Sequence, residues 1–323
     1  MANEVLQVID FSMHYKTEAG DVHAVDNVNF SLHKGESMGL VGESGCGKTT
    51  LAFSILRLLP DNARIIGGDI FFNNSINLAK ISQEEMRHIR WERISMIFQA
   101  AMNSFNPVYK VGDQIIEALE IHGRLKTKSH AEEVVSSLFN LVGLDPQLMN
   151  QYPHEYSGGM RQRAIIAMSL ACNPELIIAD EPTTALDVIV QDKLLKEIAN
   201  IQKELNMSMI YISHDIAVIA EICETIGVMY AGNMAELASA KTIFKEPMHP
   251  YTIGLMFSFP SIVGPKKKLF TLTGEPPDLL NPPTGCRFHP RCEYATDICK
   301  KERPEWVELK KHHFVACWHP VER

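Results

Sequence analysis

Short apolar runs alternate with helix-spaced apolar residues along the first two-thirds of the chain. Ser37-Met38-Gly39-Leu40-Val41 reads as a buried strand. After it, Leu51, Ile55, Leu58 and Leu59 recur at i, i+4, i+7 and i+8, one face of a helix. Leu176-Ile177-Ile178-Ala179 and Met209-Ile210-Tyr211-Ile212 predict two more buried strands. Val228-Met229-Tyr230 and Met234-Ala235-Glu236 flank Gly232-Asn233, which predicts a hairpin turning on that pair. The alternation is the βαβ rhythm of an α/β fold with a mostly parallel sheet. From about Gly112 to Ala171 the pattern is helical throughout. Ser129 with Glu132 predicts a capping box. Val134, Val135, Leu138, Leu141 and Val142 form the apolar stripe behind it, and Gly143 ends that helix. This stretch, taken as about 100–171, reads as a helical subdomain inserted into the core.

Beyond Phe244 the composition changes. Prolines stand at 247, 250, 260, 265, 276, 277, 282 and 283, and proline-dense chain resists regular helix. A boundary near Pro247 divides a large domain, 1–246, from an irregular extension, 247–323. The formal net charge over 323 residues is −8. That balance argues against a nucleic-acid partner held by phosphate neutralisation. No apolar run approaches the roughly 20 residues of a spanning helix. The first residues lack the basic, apolar and small-residue succession of a secretory signal. The expectation is a cytoplasmic chain that meets a membrane through a partner.

Three motifs add chemistry to this pattern. Gly42-Glu43-Ser44-Gly45-Cys46-Gly47-Lys48-Thr49 is a full GxxxxGK[ST] match between a predicted strand and a predicted helix. Its glycines let backbone N–H groups turn toward phosphate oxygens, and the helix N-terminus adds positive character. Lys48 is placed to reach the β- and γ-phosphates, and the Thr49 hydroxyl to ligate Mg²⁺. The predicted strand 176–179 ends in Asp180 and Glu181. The first acid suits Mg²⁺ held through a water, and the second can orient or deprotonate an attacking water. Tyr156-Ser157-Gly158-Gly159-Met160-Arg161-Gln162-Arg163 places a second anion-binding helix terminus far from the first.

With that third motif the chain resembles the ATPases of ABC transporters, whose signature is LSGGQ-like. Tyr156 stands for the usual Leu and Met160 for the usual Gln. The resemblance implies a P-loop NTPase (RecA-like) core with an antiparallel β subdomain beside the inserted helices. It implies that residues 42–49 and Thr50 bind ATP. Ser157, Gly158, Gly159 and Met160 close on the ATP held by a second copy or sibling. Gln99 then matches the glutamine that senses Mg²⁺ and links to the membrane subunit. Ala185-Leu186-Asp187 matches the D-loop, with Thr184 where Ser is usual, and His214 matches the switch histidine at the γ-phosphate. Tyr15 matches the aromatic that stacks on adenine, near Val22-His23-Ala24-Val25.

Four of the seven cysteines, Cys286, Cys292, Cys299 and Cys317, crowd the extension as C-x5-C-x6-C-x17-C. Clustered thiols in a reducing compartment read as metal ligands before disulfides. Zinc favours tight C-x2-C pairs, whereas a [4Fe–4S] cluster tolerates looser spacing. His249-Pro250-Tyr251-Thr252-Ile253-Gly254-Leu255, Gly274-Glu275-Pro276-Pro277-Asp278 and Pro282-Pro283-Thr284-Gly285-Cys286-Arg287-Phe288-His289-Pro290-Arg291-Cys292 resemble the tail of oligopeptide/dipeptide importer ATPases. Phe98 to Pro107 resembles the same branch, with Ala100-Ala101 in place of an acid followed by Pro. That resemblance implies a [4Fe–4S] cluster on the four cysteines, with Zn²⁺ the alternative. It also implies a second ATPase subunit, two transmembrane permease subunits and an extracytoplasmic substrate-binding protein as partners, at the cytoplasmic face of the membrane. Peptide is the substrate it points to; nickel and oligosaccharide importers resemble the same branch. A soluble ABC ATPase is the reading from another class, but the chain has one phosphate loop and no heptads.

Overall fold

The computed structural model describes residues 4–99, 104–125, 127–183, 187–257 and 272–321. Two long strands open the chain, β1 (Glu4–Thr17) and β2 (Gly20–His33). They are followed by β3 (Ser37–Val41), α1 (Lys48–Ile55), β4 (Ala63–Phe72), β5 (Ile76–Asn77), α2 (Gln83–Ile89) and β6 (Ile94–Ile97). Three helices come next, α3 (Val111–Ile121), α4 (Lys128–Leu141) and α5 (Gly158–Leu170), then β7 (Leu176–Asp180), α6 (Val188–Glu204), β8 (Ser208–Ile212) and α7 (Ile216–Ile222). The rest comprises β9 (Thr225–Tyr230), β10 (Asn233–Ser239), α8 (Ala240–Lys245), α9 (Pro250–Phe257), α10 (Asp297–Lys301), β11 (Val307–Lys310) and β12 (His313–Val315).

The chain forms two compact units. The first holds Met1–Leu32, Ser37–Lys80 and Ile212–Arg323; the second holds His33–Glu36 and Ile81–Tyr211. In the first unit, one sheet runs β2-β1-β4-β5 and another set of strands runs β11-β12-β10-β9-β3. β1 and β4 are antiparallel, with Leu6 opposite Phe72 and Tyr15 opposite Ala63. Leu6, Phe11, Met13 and Phe72 from this pair are fully buried. β3 and β9 are parallel, Met38 opposite Thr225 and Val41 opposite Val228. All five β3 residues are buried, as expected of a strand covered on both faces. The extension joins this set through β12, where Phe314 lies opposite Leu237 of β10.

In the second unit the strands run β8-β7-β6, and β6 and β7 are parallel. Every residue of β7 and β8 is buried. Helices α3, α4 and α5 pack together around Val111, Ile115, Leu119, Val135 and Phe139. The helix stop at Gly143 is present in the left-handed conformation that favours glycine, with φ 68°.

Three local expectations shift. The N-cap of α4 is Thr127, whose hydroxyl accepts from the His130 N–H, so Ser129 lies inside the first turn and forms no capping box. Helix α1 stops before Leu58 and Leu59 because Arg57 takes φ 49°. The hairpin turns on Ala231 and Gly232, both at positive φ, and Asn233 pairs with Tyr230 as the first residue of β10. A two-residue turn with both central residues at positive φ matches the twist of its strands.

Candidate functional site

The phosphate loop lies in the first unit, between β3 and α1. Gly42, Gly45 and Gly47 sit at φ 151°, 76° and 104°. A Cβ on Gly42 would collide with the Met229 carbonyl oxygen, and one on Gly47 with that of Ala24. Both positions therefore require glycine for space as well as for dihedral angle. Lys48, the first residue of α1, is 8% exposed. Its Nζ donates to the carbonyls of Gly42 (2.8 Å) and Glu43 (3.0 Å) and lies 3.4 Å from Cys46 Sγ. The ammonium is thus fixed within the loop, with helix α1 pointing its N-terminus into the same turn. Burial pushes the Cys46 thiol up against the opposing pull of Lys48, so it stays neutral and adds no anion there. Ser44 and Thr49 are part of the same turn and helix start. Tyr15, on β1, places its hydroxyl 3.3 Å from that of Thr50. His214 stands on an exposed bend after β8. The preceding Ser213 N–H donates to the Leu40 carbonyl of β3 at 3.4 Å, which pins the bend to the strand that feeds the phosphate loop.

The second unit carries the acids and the signature. Asp180 ends β7 at 1% exposure. Glu181 follows with φ 47°, a left-handed conformation uncommon for a non-glycine residue and frequent at functional sites. Gln99 Nε2 donates to Glu181 Oε2 at 2.9 Å, so two residues 82 positions apart in sequence meet. Ser157 caps α5, its hydroxyl accepting from the Met160 N–H at 3.3 Å, and Gly158 and Gly159 form the first turn. Tyr156 is buried and donates its hydroxyl to the Leu148 carbonyl at 2.6 Å, so tyrosine serves as core in the position where leucine is usual. Gln162, on α5, donates to the carbonyl of Pro182, the residue after Glu181. The signature helix thereby holds the turn that presents Glu181, a role the sequence alone did not reveal. Asp187 caps α6 by accepting from the Val190 N–H at 3.0 Å. Thr184, Ala185 and Leu186, and residues 100–103, lie outside the described residues.

In the extension, Cys286, Cys292, Cys299 and Cys317 line one small cavity with His249, His289, His319, Phe288, Tyr294 and Trp318. Burial pushes the Cys286 thiol up to about 11 and the Cys317 thiol up to about 12, and neighbouring thiols add to both shifts. Cys292 is raised in the same way. A buried thiolate is costly beside other sulfurs unless a cation accompanies it. Among the described residues the thiols form no group of three or more ligand atoms within 4.8 Å of one another; the one such group is His14, His23 and Asp26. There Asp26 Oδ2 already accepts from Arg287 (2.6 Å) and Arg303 (2.8 Å). Two guanidiniums on its carboxylate make that group unsuited to a dication.

Two arginines of the extension, Arg287 and Arg291, tie it to the first unit's strands and loop. Burial lowers Arg287 to about 10, opposed by the Asp26 charge it contacts. Arg291 reaches into the phosphate loop, donating to Glu43 through Nη1 (2.7 Å) and Nη2 (3.0 Å). Their alternation with thiols in Cys286-Arg287-…-Arg291-Cys292 is visible in the sequence, but their partners are not.

Known proteins resemble the whole chain. The ABC transporter family profile matches residues 25–184, and that of the oligopeptide/dipeptide transporter C-terminal region matches residues 235–299. The dipeptide transport ATP-binding protein DppD of Bacillus subtilis (strain 168) is 45% identical over 318 residues, 98% of this chain and 94% of that protein. The oligopeptide transport ATP-binding protein OppD of Escherichia coli (strain K12) is 43% identical over 322 residues, 99% of this chain and 95% of that protein. Among solved structures, the dimeric ATP-binding cassette MJ0796 in a post-hydrolysis state bound to ADP and Pi superposes with a TM-score of 0.65. It is 25% identical and covers 73% of this chain and 98% of that one. Phosphate loop, signature helix and thiol-bearing extension thus occur together in one chain with full-length relatives, and it belongs to the ATP-binding proteins of ABC transporters, in the branch that carries the oligopeptide/dipeptide transporter C-terminal region.

Proposed function

We propose that this chain is the ATP-hydrolysing subunit that powers uptake of di- and oligopeptides through a membrane importer. The observation that carries the reading is full-length similarity to dipeptide and oligopeptide transport ATP-binding proteins, extension included. The roles of the individual residues follow from the family resemblance. Lys48 and the N–H groups of residues 43–49 grip the β- and γ-phosphates, and Tyr15 with Thr50 borders the adenosine end. Thr49, Gln99 and Asp180 would hold Mg²⁺, whose charge would offset that of the phosphates. Glu181, already hydrogen-bonded to Gln99, orients the attacking water and takes its proton, and His214 contacts the γ-phosphate. The N-terminus of α5, with Ser157, Gly158, Gly159 and Met160, receives ATP held by the second ATPase subunit, a sibling chain or another copy, and Asp187 serves as the D-loop acid. Closure on ATP and release after hydrolysis drive two permease subunits, fed by an extracytoplasmic binding protein. The chain acts from the cytoplasmic face as a peripheral subunit; among the described residues no helix is long and apolar enough to cross a membrane.

The extension, 247–323, is proposed to be a module that follows the nucleotide-binding domain, 1–246. The reading of its four cysteines as ligands of a [4Fe–4S] cluster is supported by their lining one small cavity together with aromatic side chains. Bound there, the cluster supplies a cross-link for a segment with little apolar core. Iron, acid-labile sulfide and zinc assays after anaerobic purification separate the two ligands. About four irons and four sulfides per chain is the expected result, and one zinc without sulfide replaces the cluster with zinc.

Substrate is tested on the reconstituted importer. Stimulation of ATP hydrolysis by di- or oligopeptide is expected; stimulation by nickel or an oligosaccharide alone would replace the peptide assignment, and hydrolysis indifferent to permease and binding protein would remove the transport role.

A further inference from the structure

The phosphate loop carries an acid. Glu43 is its second residue, and its side chain belongs to a loop whose task is to hold a polyanion. The extension answers it. Arg291 closes a single 3-10 turn, His289–Arg291, that leads into Cys292. Its side chain is only 6% exposed. Both terminal nitrogens grip both Glu43 oxygens, at 2.7 and 3.0 Å, the two-pronged arrangement that fixes a carboxylate in orientation as well as in charge. Nε donates to the Thr273 carbonyl at 2.9 Å, Nη1 lies 3.3 Å from the Tyr230 hydroxyl, and the guanidinium stands over the Tyr230 ring at 5.7 Å. The fork is therefore aimed before it meets Glu43. The Glu43 backbone is held as well: its N–H donates to the Tyr251 hydroxyl at 3.0 Å, and its carbonyl accepts from Lys48 Nζ at 3.0 Å. Tyr251 also comes from the segment after Pro247, on α9.

We propose that Arg291 is a positioning residue of the nucleotide site: by orienting and neutralising Glu43 it keeps the phosphate loop receptive to a triphosphate, so that the C-terminal extension sets ATP affinity. The proposal rests on the reading of residues 42–49 as the ATP site. The pair contributes no net charge to the loop. Without Arg291 a partly buried carboxylate stands uncompensated beside the nucleotide's phosphates. Without the Glu43 charge, the arginine adds a cation there.

The test titrates the full-length chain with Mg-ATP, ADP and adenosine in four forms: wild type, R291Q, E43Q and the double variant. R291Q is expected to bind ATP at least about tenfold more weakly, with a smaller loss for ADP and none for adenosine, and the loss should shrink as salt rises. E43Q is expected to bind ATP several-fold more tightly. The double variant should return to within about threefold of wild type, since the net charge of the pair is again zero. A merely structural arginine predicts no such rescue and no dependence on the number of phosphates. ATP affinity unchanged in R291Q, or a double variant as weak as R291Q, overturns the proposal. If R291Q does not fold, E43Q alone decides: weaker or unchanged ATP binding overturns it. A wild-type chain that binds no ATP refutes the site reading itself, a failure distinct from that of the clamp.

Discussion

The phosphate loop and the C-terminal extension reach definite geometry by opposite means. The loop is set by its own backbone: a fully buried strand, glycines at positive φ in places where a side chain would strike neighbouring carbonyls, and a helix starting at Lys48. The extension has little of this. Among its described residues beyond 272, the buried apolar side chains are those of Phe288, Cys299 and Val315. Apart from the pairing of β12 with β10, its order comes from side chains that reach far along the chain: Arg287 to Asp26, Arg291 to Glu43, and His313 Nε2 to the fully buried Glu236 at 2.7 Å. Backbone-determined geometry is written in neighbouring residues; tether-determined geometry depends on partners that only the fold supplies.

Substitutions should separate the two regions. Phe288 sits among Tyr230, Tyr251 and His249, with ring centroids 5.1–5.8 Å away. Phe288→Ala should cost about 3–5 kcal/mol. Hydrogen exchange should show the loss in 272–321 first; equal loss in β7 and β8 would mean that the extension is not stabilised separately. Lys48→Ala should cost about 1–3 kcal/mol of stability, because the buried ammonium serves two carbonyls, and weaken ATP binding about 100-fold, or nearly 3 kcal/mol. Unchanged affinity, read by equilibrium titration, would contradict the phosphate contact. Arg287→Ala removes one of two guanidiniums on Asp26 and should cost about 2 kcal/mol in denaturant melts, less than a fully orphaned buried charge because Arg303 remains. Ser157→Ala should lose about 1 kcal/mol of cap energy and reduce dimer-dependent hydrolysis more than nucleotide binding. An equal loss of both would argue against a site completed by the second subunit.

The same contrast explains what was legible in the sequence. The strand at 37–41, the strands that became β7 and β8, and the helix stop at Gly143 follow from local period and glycine position, and the structure has them. Smaller choices between near-equivalent local solutions were less legible. Thr127 and Ser129 both offer a capping hydroxyl, and only the register of α4 selects Thr127. The hairpin needed two positive-φ residues, and Ala231 supplied one against its own preference, which moved the turn by one position. Long-range pairs were not legible at all. Gln162 on Pro182, Arg287 on Asp26 and Arg291 on Glu43 join residues 20, 261 and 248 positions apart. No spacing rule reaches that far. The phosphate loop could be read from its residues because its chemistry is contiguous. Gln99 required the resemblance to place it, and the structure then set its amide against Glu181.

The most direct test of the account is ATP turnover by the importer reconstituted with Glu181→Gln in this chain. ATP binding should stay within about threefold of wild type while hydrolysis falls at least about 100-fold, the scale of a lost general base. Wild-type turnover in that variant would contradict the assignment of Glu181 and with it the proposed hydrolytic site.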